Sequence, residues 1–244
     1  MSRLEINGLA KTLGTGERVA VLREVSLSVP AGLCLGIKGA TGSGKTTLLR
    51  LIAGLETPDA GEIRIDGLVV SALKILVPPG QRRIGFVFQN LGLWPHLSVE
   101  GHLDFVLAAS PLGGAERVRR KRELLGTFHL GGLEHRRPGE LSGGERHLLA
   151  IARAVASDIR VLLLDEPFEG LDGRLRDLVI QALGRLRRQR GLTTVLVSHD
   201  VFELRALCDQ LIYLREGRVV GTPKPLSSAH GIHDADARSG GTDA

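Results

Sequence analysis

Aromatic residues are scarce in this sequence, since phenylalanine, tyrosine and tryptophan make up only 3% of its 244 residues. Proteins that bind single-stranded nucleic acid need aromatic side chains on which bases stack, so the composition argues against that class. The formal net charge is +5, but the densest basic stretches, residues 117–122 and 185–190, have the pattern of solvated helix faces. We therefore expect no nucleic-acid partner.

Cysteine is equally rare, and long apolar runs are absent. The two cysteines, Cys34 and Cys208, have no neighbour at C-x-x-C spacing, which predicts two separate buried thiols in a reducing compartment. The opening segment MSRLEINGLA lacks the apolar core of a signal peptide, and no run reaches the roughly 18 apolar residues of a membrane-spanning helix. The sequence thus predicts a chain that does not cross a membrane by itself.

What the sequence contains is a regular alternation of strand-like and helix-like segments. The apolar segments LCLGI (33–37), IGFVFQ (84–89), IRVLLLDEP (159–167) and TTVLVS (193–198) are separated by stretches with helical periodicity. Strands that alternate with helices in this way are typical of a parallel α/β sheet. Residues 98–157 are predicted to be mostly helical.

The segment GATGSGKT, residues 39–46, follows one of these strands and opens a helix, and it fits the pattern G-x-x-x-x-G-K-[ST]. Glycines let successive backbone amides point at phosphate oxygens, and the positive end of the helix adds to their attraction. Lys45 is expected to reach the β- and γ-phosphates, and the Thr46 hydroxyl to bind Mg²⁺. The residues predicted to bind the nucleotide are Gly39, Ala40, Thr41, Gly42, Ser43, Gly44, Lys45, Thr46 and Thr47.

Four further polar residues follow strand-like segments, so we expect them at one edge of the sheet. Asp165 ends a buried strand in a sheet that carries a phosphate loop, which predicts a carboxylate on the magnesium side. Glu166 comes next, and a carboxylate there can take a proton from an attacking water. Single residues such as His199 and Gln89 are more often structural at such positions, although a histidine can approach a γ-phosphate and a glutamine can bind Mg²⁺ and position water.

The segment ELSGGERHLL, residues 140–149, places two adjacent glycines before a helical pattern. Ser142 and Glu145 have the spacing of a capping box, which predicts a helix from about Glu145. Capping explains these two residues but not Gly143 and Gly144, and glycine is the residue that lets another group approach the backbone closely. The segment by itself leaves open whether it is a capped helix alone or also a contact with a ligand.

In their order and spacing, the phosphate loop, Gln89, LSGGE, LLLDEP, GLD and His199 resemble the ATP-binding cassette (ABC) family. The resemblance implies an α/β fold, a P-loop NTPase core with a mixed sheet flanked by helices, an antiparallel β subdomain and a helical subdomain. The implied division is a single ABC ATPase domain over 1–222, with a core lobe of about 1–89 and 158–222 and a helical subdomain of about 90–157, followed by a disordered tail, 223–244.

The resemblance also implies roles for the polar residues. By the resemblance, the segment LSGGE would contact the γ-phosphate of an ATP held by a second ATPase subunit, so the expected working unit is a pair of subunits. We expect a homodimer, although the sequence leaves a heterodimer of ATPase subunits open. The implied catalytic residues are Lys45, Gln89, Glu166, which polarises the attacking water, and His199, which holds the γ-phosphate. The remaining implied contacts are Ser142, Gly143, Gly144 and Asp172 for nucleotide, and Thr46, Gln89 and Asp165 for Mg²⁺.

The implied function is that of the ATP-hydrolysing subunit of a bacterial ABC transporter, with ATP and Mg²⁺ as its ligands. The segment QNLGLWPHLSVEGHLDF, residues 89–105, is similar to ATPase subunits of bacterial importers of oxyanions, polyamines, iron or sugars. An importer implies separate transmembrane permease subunits, an extracytoplasmic substrate-binding protein, and a position at the cytoplasmic face of the inner membrane.

Two alternatives come from other functional classes. A soluble ABC ATPase of DNA repair or chromosome organisation carries a long coiled-coil or zinc-bearing insertion before LSGGE, whereas the short interval from Thr46 to Ser142 holds no cysteine and no sustained heptads. A regulatory ATP-binding module without turnover does not need Glu166 and His199, which are both present. Measured ATPase activity separates this second alternative from a transport ATPase.

The sequence departs from the family's pattern at several positions. Glu145 stands where glutamine is most common, Lys38 where an apolar residue is usual, and EGLD where SALD is common. No aromatic residue precedes Phe86, so the ring that usually stacks on adenine is absent, and Leu13 or Val19 stands in its place. We also expect no regulatory domain of the kind often appended to importer ATPases, since the sequence ends soon after GRVVG.

Overall fold

The computed structural model describes residues 3–14 and 18–226, which form ten strands, six α-helices and two short 3₁₀ helices. The strands are β1 (Leu4–Leu13), β2 (Val19–Val29), β3 (Cys34–Lys38), β4 (Ala60–Ile65), β5 (Leu68–Ser71), β6 (Ile84–Val87), β7 (Val161–Asp165), β8 (Thr193–Val197), β9 (Gln210–Arg215) and β10 (Arg218–Pro225). The α-helices are α1 (Lys45–Ala53), α2 (Val99–Ala108), α3 (Gly114–Thr127), α4 (Gly143–Ala154), α5 (Gly173–Arg190) and α6 (Val201–Leu207). The 3₁₀ helices are Pro79–Gln81 and Pro138–Glu140.

The strands form two sheets of different character. The smaller sheet has the order β2-β1-β4-β5 and is antiparallel throughout. The larger sheet has the order β10-β9-β3-β8-β7-β6, with parallel pairing everywhere except between β9 and β10. Because the parallel strands β3, β8, β7 and β6 are neighbours, their carboxyl ends meet at one edge. The predicted fold class is confirmed in both its mixed sheet and its antiparallel subdomain.

The larger sheet is covered on both faces. Strand β7 is buried along its whole length, as expected for a parallel strand between two layers. Its successive side chains point to opposite faces: Leu162 and Leu164 enter a core shared with α2 to α6, and Val161 and Leu163 enter a core shared with α1 and the antiparallel sheet. The apolar residues of β7 therefore hold the strand between these two cores, with Asp165 at its carboxyl end.

Helices α2, α3 and α4 lie between β6 and β7 in the chain, as the helical pattern of residues 98–157 predicts. The first of them begins after Ser98, whose hydroxyl accepts a hydrogen bond from the backbone amide of Gly101 at 3.1 Å. In the described part of the chain, none of the helices combines the length and the apolarity that a bilayer crossing requires.

A buried arginine joins α1 to the antiparallel sheet, and sequence analysis did not anticipate it. Arg82 is 4% exposed, and its bonds within residues 3–14 and 18–226 go to neutral oxygens. Its guanidinium donates to the carbonyl oxygens of Ile52 and Val70 at 2.8 and 2.9 Å, and to the Ser71 hydroxyl at 2.7 Å. Burial lowers the pKa of Arg82 to about 10, so the group stays charged at neutral pH. A single side chain thus satisfies carbonyls of the last turn of α1, where intrahelical partners are missing.

Three expectations are corrected by the structure. The helix predicted from about Glu145 begins two residues earlier, at Gly143. Strand β10 continues to Pro225, so residues 223–225 of the predicted tail belong to the sheet, and the tail beyond Leu226 lies outside the described residues. Cys34 and Cys208 are buried as predicted but are not separate, because their Sγ atoms lie 3.4 Å apart.

Candidate nucleotide-binding site

The phosphate loop connects β3 to α1 and has the backbone shape that its glycines permit. Gly42 and Gly44 have φ angles of 80° and 103°, values that other residues rarely adopt. A Cβ at Gly44 would also lie 2.7 Å from the carbonyl oxygen of Val21. Helix α1 begins directly after Gly44 with no side-chain cap, so its first amides are available to a ligand. The loop therefore offers an anion site at a helix N-terminus.

Lys45 places a positive charge inside this loop. Its side-chain ammonium donates to the carbonyl oxygens of Gly39 and Ala40, each at 2.9 Å. The residue is 9% exposed, so the charge is held across the loop rather than in solvent. A phosphate that enters the loop meets a lysine that is already ordered.

A pocket of about 290 Å³ brings the loop together with the ends of β6 and β7. Among its lining residues are Gln89, Asp165 and Glu166. Asp165 is 2% exposed, and burial raises the pKa of its carboxyl group. One of its oxygens, Oδ1, has no hydrogen-bond partner among the described residues, while the nearby Thr46 hydroxyl acts on the pKa of the carboxyl group in the opposite direction to burial.

The side-chain oxygens of this pocket match the ligands that a divalent cation prefers. A buried carboxylate oxygen without a partner is costly, and a cation with oxygen ligands would remove that cost. The Thr46 hydroxyl and the Gln89 amide oxygen are of the kind that Mg²⁺ accepts, and both residues line the same pocket. The donor set of Asp165, Thr46 and Gln89 therefore fits the predicted ion.

Glu166 occupies an unusual backbone conformation at the end of β7. Its φ angle is 47°, in the left-handed region, and its amide donates to the carbonyl of Val197 at 3.0 Å. Carboxylate oxygen Oε2 lies 3.0 Å from Nδ1 of His199 and accepts from the His199 amide at 3.3 Å. Strained conformations of this kind cluster at functional sites. The structure thus pairs the predicted base with the predicted phosphate ligand.

A second pocket, of about 740 Å³, also borders the phosphate loop. It is lined by Gly39, Ala40 and Ser43 of the loop, by Lys38, and by His199. The Ser43 hydroxyl oxygen is buried without a hydrogen-bond partner in the described part of the chain. His199 therefore faces this pocket while its ring contacts Glu166, which lines the first.

The segment LSGGE lies elsewhere. The capping box is present: the Glu145 amide donates to the Ser142 hydroxyl at 3.3 Å, and the Ser142 amide donates to the Glu145 carboxylate at 2.7 Å. These bonds lower the pKa of Glu145, so a negative charge remains in the first turn of α4. Neither Ser142, Gly143, Gly144 nor Asp172 lines either pocket.

The two glycines of that segment have different surroundings. At Gly143 a Cβ would meet nothing closer than 4.0 Å, whereas at Gly144 it would lie 1.7 Å from a methyl carbon of Leu175. Leu175 stands in the first turn of α5, where its amide donates to the capping carboxylate of Asp172 at 2.9 Å. Gly144 is thus required by its packing against Leu175, which sequence analysis missed. The backbone at Gly143 remains accessible to another group.

The apolar part of the first pocket comes from Val21, which sequence analysis did not single out. The predicted adenine contacts, Leu13 and Val19, face each other across β1 and β2 and are 40% and 58% exposed. Neither lines the pocket.

We expect weak base discrimination from a site of this kind, with GTP hydrolysed within several-fold of ATP. Base–aromatic stacking contributes about 1–3 kcal/mol, and an apolar side chain alone supplies less. Leu13 lies outside the pocket, so Leu13→Tyr should tighten ATP binding by about fivefold, on that same scale, if the base extends beyond Val21. Fluorescence titration measures the affinity, with Leu68→Tyr, at an exposed leucine of β5, as the matched control. Strong ATP preference in the wild type, together with no gain in affinity from Leu13→Tyr, contradicts this view of the base site.

The fold and these pockets define a P-loop nucleotide-binding cassette. A family model described as ABC transporter matches residues 22–169, and the chain belongs to this family. The resemblance inferred from the motifs is confirmed.

Individual relatives agree with this assignment. The Fe(3+) ions import ATP-binding protein FbpC of Pseudomonas fluorescens is 42% identical over 236 residues, covering 96% of this chain and 65% of that protein. The spermidine/putrescine import ATP-binding protein PotA of Oleidesulfovibrio alaskensis is 39% identical over 224 residues, covering 91% of this chain and 58% of that protein. The chain thus spans about three fifths of the length of these curated relatives.

Among solved structures, the dimeric post-hydrolysis state of the ATP-binding cassette MJ0796 bound to ADP and Pi is similar with a TM-score of 0.83. It is 33% identical, and the match covers 91% of this chain and 98% of that chain.

Proposed function

We propose that this chain is the ATP-hydrolysing subunit of a bacterial ABC importer. The observation that carries the proposal is the pocket in which the phosphate loop meets Asp165 and Glu166, with Glu166 in contact with His199. A module that only bound ATP would not need a strained carboxylate at this edge. The names of the relatives support import rather than DNA repair.

The reaction is the attack of water on the γ-phosphate of ATP. Lys45 and the loop amides bind the phosphate oxygens, where negative charge increases in the transition state. Glu166 orients the water and accepts its proton. His199 binds the γ-phosphate through the ring nitrogen not facing Glu166. Asp165, Thr46 and Gln89 would hold Mg²⁺, which when bound neutralises charge on the β- and γ-phosphates.

A direct test is the turnover of purified protein with ATP. We expect hydrolysis that needs Mg²⁺ and is lost in EDTA, and Lys45→Ala should lower nucleotide affinity. Absence of phosphate release from wild-type protein that binds ATP would favour the regulatory module instead.

The working unit is proposed to be a homodimer with two shared sites. Ser142, Gly143, Gly144 and Asp172 do not line the pockets beside their own phosphate loop, so a second copy is needed to bring them to a nucleotide. The open backbone at Gly143 and the positive end of α4 suit a phosphate. The dimeric state of MJ0796 supports this arrangement.

Ser142→Arg should lower hydrolysis by about a hundredfold, the loss typical for one oxyanion ligand, with little change in the nucleotide affinity of the monomer. The matched control is Ser98→Arg, which removes the equivalent cap of α2 away from both pockets. A large loss of monomer affinity in Ser142→Arg would contradict action across the dimer.

The partner on the membrane side is proposed to be a permease that contacts residues 89–105. Trp94 is half-buried, and its ring packs against His102 and Phe105 with Arg153 placed 4.9 Å from its centroid. Phe105 is 61% exposed. Leu93 packs partly against the core, so the segment is anchored on one side and apolar on the other. An importer of this kind also needs an extracytoplasmic binding protein and holds the chain at the inner membrane.

Cysteines placed at His96, which is exposed, or at Leu93 should crosslink to the permease subunit in membranes that contain the whole transporter. The reason is the anchored apolar surface around Trp94. The control is a cysteine at Leu73, which is 75% exposed on the antiparallel subdomain. Crosslinks from Leu73 but none from the other two positions would place the docking surface elsewhere.

A further inference from the structure

The geometry points to Glu169 as a positioning residue that orients the Gln89 amide in the nucleotide pocket. This inference rests on the proposed function, since Gln89 matters there as a ligand of Mg²⁺ and of water. Glu169 occupies the second glutamate position of EPFEGLD, where the family's pattern has a small residue, and the motifs assign it no role.

The contact is a single hydrogen bond between two distant parts of the chain. The Gln89 side-chain amide nitrogen, Nε2, donates to the Glu169 carboxylate oxygen Oε2 at 3.1 Å. Gln89 lines the first pocket, whereas Glu169 does not. The carboxylate therefore contacts Gln89 from outside the pocket.

The chemistry of the pair decides which amide atom faces the nucleotide. An ionised carboxylate only accepts hydrogen bonds, so the atom that faces it must be the NH₂ group of Gln89. The amide oxygen then remains for the pocket, and oxygen is the atom that a magnesium ligand or a water acceptor requires. An unconstrained glutamine would sample both orientations and lose side-chain entropy on binding.

Glu169 itself is held in place by the turn that follows β7. Its amide donates to the carbonyl of Glu166 at 3.2 Å, and the neighbouring Phe168 is 2% exposed in the core. Both side chains are exposed, and Gln89 follows the end of β6 in a turn. The backbone of Glu169, held by its bond to Glu166 and by the buried Phe168, places the carboxylate beside Gln89, and the turn that presents the base Glu166 also presents Glu169.

The test measures Mn²⁺ binding to the full chain with a non-hydrolysable ATP analogue, by the paramagnetic resonance signal of free Mn²⁺ with protein in excess over analogue. Glu169→Ala should weaken the apparent Mn²⁺ affinity by about three- to tenfold, the range for one lost hydrogen bond. Affinity for the analogue in EDTA should stay within about twofold, because Glu169 contacts Gln89 and not the nucleotide pocket.

Glu169→Gln separates orientation from charge. Its amide oxygen still accepts from Gln89, although the inverted pairing is also possible, so Mn²⁺ affinity should fall by only about twofold. In a Gln89→Ala background, Glu169→Ala should have no further effect. In hydrolysis, Glu169→Ala should lower kcat more than it raises KM.

Three results would overturn the inference. The first is equal losses in Glu169→Ala and Glu169→Gln, which indicate a charge effect, and the second is an undiminished loss when Gln89 is already alanine. Unchanged Mn²⁺ affinity in Glu169→Ala would overturn it as well. The failure of the proposed function is a different result, because wild-type protein would then bind the complex of Mn²⁺ with the analogue but release no phosphate from ATP.

Discussion

Glu166→Gln is expected to bind ATP with near wild-type affinity and to hydrolyse it about a hundred- to ten-thousandfold more slowly, which is the usual contribution of a general base. Glutamine keeps the shape of the side chain and a hydrogen-bond partner for His199 but cannot accept the proton of the attacking water. Because hydrolysis no longer separates the subunits, an ATP-bound dimer should accumulate. Phosphate release and sizing chromatography with ATP and Mg²⁺ measure the two effects.

The matched control for this substitution is Glu123→Gln, an exposed glutamate of α3 outside both pockets. It should behave as the wild type in both assays. Normal hydrolysis by a Glu166→Gln protein that remains monomeric would contradict both the role of Glu166 as the base and the formation of a dimer on ATP binding.

Arg82→Ala is expected to reduce the free energy of unfolding by about 3 kcal/mol or more, since several buried carbonyls lose their donor and a cavity is left behind. The partners that lose a donor are those of α1 and β5, the carbonyls of Ile52 and Val70 and the Ser71 hydroxyl. Denaturant titration measures the change. Arg82→Lys should recover only part of it, because an ammonium has fewer donors than the planar guanidinium.

The neighbouring Arg83 provides the control for this prediction. Its guanidinium pairs with Asp158 at the surface, where the two side chains are 41% and 57% exposed. Surface ion pairs of this kind contribute about 0–1 kcal/mol, so Arg83→Ala should change stability little. Equal losses in the two variants would mean that the interior bonds of Arg82 are not what stabilises this region.

Much of the fold follows from local sequence pattern. The uninterrupted apolar run before Asp165 predicts a strand buried on both faces, and β7 is one. The glycine pattern of residues 39–46 predicts the phosphate loop. Gln89, Glu166 and His199 are predicted to lie together because each follows a parallel strand, and parallel strands bring their carboxyl ends to one edge whatever the loops do.

The features that sequence analysis missed depend on pairs of residues far apart in the chain. Cys34 and Cys208 are 174 positions apart and meet only because β9 pairs with β3. Gly144 accommodates Leu175, and nothing near LSGGE in the sequence indicates which helix packs there. Arginine is usually a surface residue, so the sequence does not indicate that Arg82 is buried. Its burial is explained only by the structure, in which carbonyl groups at the end of α1 lack other donors.

At Glu166 the left-handed backbone conformation favours glycine, whereas the proposed chemistry requires a carboxylate. A residue with a Cβ loses about 1–2 kcal/mol in this conformation, and glycine is largely free of that loss. For stability alone, this position would favour glycine. Variants selected only for thermal resistance would therefore tend to replace Glu166 by glycine and lose activity. The glutamate marks a place where stability and turnover are opposed in one residue, so a screen that scores both properties is needed to gain stability without losing turnover.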